Sequence, residues 1–243
     1  MTTARYTRLE VIRTFRNRRF FILSLGFPIV LFYLVAGTNL HAHIGGISFP
    51  RYYMVGMASW GAMAAGRAGG ARIALERSVG WTRQMRTTPL PVSSYFRTKV
   101  LTSYVMAIVS LALIFAAGLS LGVHLRASAW FETAGLMLVG IIPFVVLGIL
   151  LGHLLTVDSL GPALGGIVAL FALLGGSWGP IGGSSGALHD VVQYLPSYWL
   201  VQGGKLAIGG QGWPVMAWIV IGVWTLALLR ITTRVYRRDT GRA

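Results

Sequence analysis

Few residues in this chain are of a type that does chemistry. None of its 243 residues is cysteine, which excludes thiolate nucleophiles, disulfides and cysteine-held metals. Of the five histidines only His41 and His43 stand close, in H-x-H spacing; His124, His153 and His189 are isolated. A metal site asks for several converging ligands, and no acid or cysteine lies beside the pair, so these histidines read as locally satisfied and no metal is expected. Gly203-Gly204-Lys205 resembles the tail of a phosphate loop. However, Leu206 follows the lysine where a hydroxyl would hold magnesium, and Trp199 stands where the loop needs its first glycine. No nucleotide-binding motif is present, and no catalytic residue is expected on this chain.

The remaining charges matter for where they are missing. Only 11% of residues are charged and 55% are hydrophobic, with a mean hydropathy of +0.68. A soluble domain carries about 25% charged residues, so a soluble globule and a disordered chain are both excluded. Uncharged runs extend over 20–50, 52–66, 100–125, 133–157, 159–189 and 206–229. A membrane helix needs about 20 mostly apolar residues, and barrel strands are shorter and alternate. The expected fold is an all-α integral membrane protein of a single transmembrane domain, 1–243. Its six spans are expected near 20–39, 52–72, 100–122, 133–155, 160–180 and 213–233. The second of these must run past Arg67, which either snorkels to the inner boundary or waits for a substrate.

The formal charge of +15 comes from 21 basic against 6 acidic residues. With six spans, all the basic residues except Arg51, Arg67, Arg126 and Lys205 fall on one side. The excess of positive charge on inner loops sets orientation, so both termini are expected in the cytoplasm, with anionic lipids rather than nucleic acid as the charge partner. The first span is too long for a signal-peptide core and lacks a clean cleavage site, so it is expected to stay uncleaved.

Between the spans, residues 4–19 lack Gly and Pro and read either as an interfacial helix or as a plain basic extension. On a helical wheel Tyr6, Leu9, Ile12 and Phe15 share one half-circle, but Arg5, Arg8 and Arg16 fall within it. Gly61/Ala65/Gly69, Gly118/Gly122, Gly148/Gly152 and Gly161/Gly165 make small-residue faces for close helix contact. The outer segment 181–212 opens on a Gly/Ser stretch. It then allows a short helix from Tyr198 to Ile208, capped by Ser197 and closed by Gly209-Gly210. Tyr194, Tyr198, Trp199 and Trp213 suit the outer interface.

The inner connection 73–99 carries the strongest pattern. A helix is expected over 73–86, broken by Pro89 and Pro91 and restarted at Ser93. The run Glu76-Arg77-x-x-Gly80-Trp81-Thr82-Arg83-Gln84-Met85-x-x-Thr88-Pro89-Leu90-Pro91 resembles the loop of type-2 ABC exporter permeases, the membrane halves of bacterial drug, antibiotic and polysaccharide exporters. The resemblance takes in nearly the whole chain, including the basic N-terminal segment and a Leu195-Pro196 re-entrant segment before the last span. It implies a coupling region at 73–92 that docks on a separate ATPase subunit, through Glu76, Arg77, Gly80, Trp81, Arg83, Gln84, Arg86, Thr88, Pro89 and Leu90. Residues 4–19 would be the connecting helix. One acidic residue common after the Glu-Arg pair is replaced by Ser78, which bears on charge pairing with the ATPase. The resemblance implies two ATPase copies holding ATP and magnesium, with no cofactor on this chain. It also implies a second permease half in the bacterial inner membrane, with a homodimer favoured.

The function expected is therefore the permease subunit of an ATP-driven exporter. Span centres carry no acid, and Glu132 and Asp158 sit at span ends, so hydrophobic or amphipathic cargo (a drug, an antibiotic or a lipid-like compound) is favoured. Trp60, Phe171 and Trp178 are candidates for lining its path, although membrane aromatics also serve simple packing. Two alternatives are an ion-coupled secondary transporter, which would place an ionisable residue at mid-span, and a non-transporting scaffold, which would need no ATPase.

Overall fold

The computed structural model describes residues 3–16, 22–80, 91–179, 187–210 and 212–241. Apart from connecting turns and a hairpin of two two-residue strands, the described residues are helical. In order come α1 (Thr3–Arg16), a π-helical turn (Ile22–Gly26), α2 (Phe27–Thr38), the antiparallel pair β1 (His43–Ile44) and β2 (Ile47–Ser48), α3 (Phe49–Gly66) and α4 (Ala68–Ser78). After the inner connection follow α5 (Val92–Ser120), α6 (Ala127–Gly140), α7 (Ile142–Leu154), α8 (Val157–Gly175), α9 (Ala187–Val192), α10 (Pro196–Gly204) and α11 (Val215–Gly241).

Among the described residues four stretches are long and apolar enough to cross a membrane: Ser93–Ser120, Ala127–Leu154, Val157–Gly175 and Val215–Arg238. They correspond to the expected third, fourth, fifth and sixth spans. Ser24–Thr38 is a shorter apolar helix in the place of the first. The expected second span is α3, and it is the centre of the molecule. Met54, Met57, Ala58, Ala62, Met63 and Ala65 are fully buried, and α3 packs on α2, α5, α8 and α10. A helix wrapped by protein need not be greasy toward lipid, which is why small and weakly apolar residues suffice there.

Three expectations on helix bounds are corrected. The second span is not one helix over 52–72. It breaks at Arg67, where the backbone passes so close to α7 that a Cβ on Gly148 would lie 2.9 Å from the Arg67 Cα. The helix expected over 73–86 stops at Ser78, with Gly80 in the left-handed conformation (φ 69°) just beyond it, the position where glycine ends helices at least cost. Ser197 does not cap the outer short helix. Leu195 holds that position, Pro196 occupies the first turn, and Ser197 is fully buried. The close does match: a 3-10 turn over Lys205–Ile208 ends on Gly209 with φ 88°. The helix restart is also as expected, with Pro91 in extended conformation leading into α5.

The small-residue faces work within the chain. Gly61 faces Ser110 and Gly69 faces Lys99 and Ser103 on α5, Gly118 faces Met54, and a Cβ on Gly70 would strike the Gly148 carbonyl at 1.8 Å. Gly122, at the end of α5, and both glycines of the α8 face, Gly161 and Gly165, differ in having nothing within 4 Å.

Candidate coupling site at the inner end of the bundle

The broken second span positions the site. Breaking a helix frees amide donors at the new N-terminus; here the Ser103 hydroxyl of α5 accepts from the Gly69 N–H at 3.0 Å. A Cβ on Gly69 would sit 2.8 Å from the Lys99 carbonyl. The absent side chain lets α4 lie against α5 and brings Glu76, two turns further on, to the Lys99 side chain.

Lys99 is the hub. It is fully buried, and its Nζ donates to Glu76 Oε1 at 2.5 Å and to Glu10 Oε1 at 2.6 Å. Glu10 comes from α1, 89 positions away in sequence. Arg72 of α4 adds a second cation on Glu10, with Nε 3.2 Å from Oε1. The Tyr95 hydroxyl donates to Glu76 Oε2 at 2.6 Å, and the Lys99 ammonium sits 4.9 Å from the Tyr95 ring centre. Thr7 of α1 and Thr98 of α5 join hydroxyls at 2.9 Å. Two carboxylates thus face two cations, and the cluster is internally balanced. Burying ions is costly unless they are paired and hydrogen-bonded; each charge here meets an opposite one. Burial alone would raise the Glu10 carboxyl; the Lys99 and Arg72 charges and hydrogen bonds outweigh it and hold the group below its ordinary value. Burial, and then the Glu76 and Glu10 charges, push the neighbouring Tyr6 hydroxyl up.

The arrangement ties together α1, α4 and α5, the last two being the helices on either side of segment 81–90. Glu10, Glu76, Arg72 and Lys99 thus form a cross-brace between the three helices. A second contact extends the brace, as Arg77 donates to the Gly152 carbonyl of α7 at 3.3 Å. Beside it Phe96, His153 and Tyr236 form an aromatic triad with ring centres 5.1 to 5.9 Å apart, joining α5, α7 and α11.

Of the residues expected to form the coupling region, Glu76 is buried and turned inward onto Lys99 and Tyr95, Arg77 is half-buried, and Gly80 is exposed. Trp81, Arg83, Gln84, Arg86, Thr88, Pro89 and Leu90 lie outside the described residues. Sequence reasoning missed Glu10, Tyr95 and Arg72 as partners and took Lys99 only as an orientation charge. One available signal was the scarcity of acids, six in the chain, which makes any acid in a basic segment notable.

Of the aromatic candidates, Trp60 and Trp178 meet edge to face at 5.3 Å, and Phe27 joins Trp60 at the same distance. Phe27 and Trp178 are exposed and Trp60 is half-buried. Phe171 is separate, packed between Phe144 and Trp224.

At the opposite end of the bundle, Arg51 at the start of α3 donates from Nε (3.0 Å) and Nη2 (2.5 Å) to the Ala207 carbonyl. The Trp213 indole donates to the Trp199 carbonyl at 2.9 Å, and Trp199 to the Gln193 carbonyl at 2.7 Å. Trp199 is buried against protein. Burial lowers Lys205 below the ordinary ammonium range. The His43 ring bonds the His41 carbonyl beside the hairpin, at 3.0 Å.

Two comparisons bear on this arrangement. The family described as "ABC-2 family transporter protein" matches residues 47–233. The "Putative transport permease YvfS" of Bacillus subtilis (strain 168) is 28% identical over 235 residues, covering 94% of each chain.

Proposed function

From the premise that this chain belongs to the ABC-2 family of transporter proteins, and is thus a multi-pass transport permease subunit of an ABC transporter, we propose that it is the membrane half of an ATP-driven exporter for hydrophobic or amphipathic compounds. The observation that carries this reading is the Lys99 cross-brace, a rigid joint between the N-terminal helix and both helices that flank the loop. A loop that merely crossed the inner surface would need no such joint. One that receives a push from another protein does.

In this reading two ATPase chains hold ATP and magnesium, and their closure presses on segment 81–90. The brace passes the displacement to α4 and α5, and α4 presses α3 through the short break at Arg67. Both termini lie in the cytoplasm of a bacterial cell, and the chain works beside a second permease half, favoured to be a copy of itself. The path between halves is nearly free of charge, which suits apolar or amphipathic cargo. The partly exposed group of Phe27, Trp60 and Trp178 offers such cargo an aromatic surface.

Affinity purification of the full chain from its native host in mild detergent tests the reading. A stoichiometric ATPase should accompany it, and Trp81→Ala should reduce ATP-dependent export while leaving the chain folded. Purification with no ATPase, together with undiminished export in that variant, would overturn the proposal.

A further inference from the structure

From Tyr53 to Gly70 every residue is buried except Trp60 and Arg67. Seven positions separate the two. In an α-helix that spacing returns to within about 20° of the starting direction, about 10 Å further along. α3 is helical through Gly66, so Arg67 keeps the direction of Trp60. The buried centre of the molecule therefore opens along one stripe, with an indole at one level and a guanidinium at the other. Trp60 is extended by Phe27 and Trp178, both exposed and both edge to face with it.

The helix break uses Arg67 for its backbone: the Arg67 carbonyl accepts from the Gly70 N–H at 3.1 Å and the Ala71 N–H at 3.2 Å. Among the described residues its side chain makes one hydrogen bond, Nε to the Ala64 carbonyl at 3.1 Å, and meets no carboxylate. Glu10 and Glu76 are held by Lys99, Arg72 and Tyr95, and Asp158 at the start of α8 is exposed. A half-buried cation is costly until an anion meets it, and the planar guanidinium fork matches a carboxylate or a phosphate. Gly69, two residues on, lies against Lys99 and Ser103, where the uncharged run of α5 starts at Val100. Arg67 thus stands near the polar edge of that run and Trp60 deeper in the apolar zone. An amphipath in one leaflet has the same order, its charged head at the boundary and its apolar body inside. We propose that this stripe is a cargo subsite in which Arg67 holds a carboxylate or phosphate group and Trp60, with Phe27 and Trp178, holds the apolar body. The inference rests on the exporter reading and narrows its cargo to anionic amphipaths.

The full-length permease, with any ATPase that accompanies it, is placed in phosphatidylcholine nanodiscs at neutral pH. It is titrated with dansylamino-undecanoic acid and, separately, with the neutral methyl ester of that acid. The rise in dansyl emission over empty discs reports binding. The acid should bind about tenfold more tightly than the ester. Arg67→Gln should abolish that preference, Arg67→Lys should keep part of it, and Trp60→Leu should weaken acid and ester alike. Equal binding of the two probes by the native chain would overturn the proposal, and this comparison needs no variant to assemble. A preference that survives Arg67→Gln would overturn it too, as would unchanged binding of both probes by Trp60→Leu. Phosphatidylglycerol added to the discs separates two sources of the same chemistry. Displacement of the acid assigns the anion to a membrane lipid and persistence assigns it to a free amphipath; both uphold the anion site. An ATPase that stays bound while the native chain shows no preference sinks the subsite alone, whereas a preference without any ATPase sinks the exporter reading alone.

Discussion

The two ends of this bundle, called inner and outer after the orientation that the charge pattern leads us to expect, are held by different forces. At the inner end, side-chain charges from three helices meet on one buried ammonium, Lys99, with Glu10, Glu76 and Arg72 around it. At the outer end the contacts are side chains on backbone carbonyls: Arg51 on Ala207, Trp213 on Trp199, Trp199 on Gln193. A carbonyl acceptor is neutral and leaves little behind when its donor is lost. A buried charge that loses its partner remains as a penalty. The inner end is therefore an all-or-none joint, whereas the outer end is a set of separable fastenings.

The largest expected effect follows from that contrast. Lys99→Met leaves buried Glu76 without its cation and Glu10 with Arg72 alone, and should cost about 3–5 kcal/mol, seen as loss of folded protein in detergent thermal-stability assays. Adding Glu10→Gln and Glu76→Gln to the same chain should restore most of it, because the penalty is the unpaired charge. If the triple variant is as unstable as the single one, the joint is held by packing and not by charge.

At the outer half the sensitive point is backbone proximity. A Cβ on Gly56 would lie 1.9 Å from the Ser177 carbonyl, so Gly56→Ala should cost up to about 3 kcal/mol. Arg51→Met should cost less, about 1.5 kcal/mol, and with no second mutation needed to rescue it. Both are read in the same thermal assay.

Acid separates the ends with the smallest effect. The folded Glu10 carboxyl titrates below its ordinary value of 4.5, so its contribution is fully present above that value. It is lost as pH falls through the depressed folded value. Thermal stability should drop in that acidic window, and Glu10→Gln should flatten the drop. An Arg51→Met chain should keep it, since that contact involves no carboxylate.

What the sequence revealed and what it hid follow the same division. Uncharged runs announce membrane helices directly, and the third to sixth spans lie where those runs lie. Pro91 marks a helix boundary by its own backbone chemistry, whereas the helix expected over 73–86 ran through Gly80, which lies just past the observed end at Ser78. The break at Arg67 carries no such local mark, because it arises where α4 and α7 approach glycine to glycine, a tertiary event between residues far apart in sequence. Glu10 was hidden for a related reason. In a basic segment an acid looks like a local counter-charge, and its true partner is 89 positions away. The wheel of α1 mixed apolar and basic residues because two surfaces, one facing Lys99 and one facing outward, share a 14-residue helix. The candidate aromatics divide likewise. Trp60 and Trp178 come together through α3 and the end of α8, but Phe171 points to a different neighbour, and spacing along a single chain does not distinguish the two.

The most direct test of the brace as a coupling device is the cargo exported per ATP hydrolysed. It would be measured in vesicles holding the permease with its co-purified ATPase, for the native chain and the Glu10→Gln/Lys99→Met/Glu76→Gln variant. The variant should fold and support hydrolysis but export at least about tenfold less per ATP, a loss of about 1.4 kcal/mol of coupling. An unchanged ratio in a folded, hydrolysing complex would contradict it.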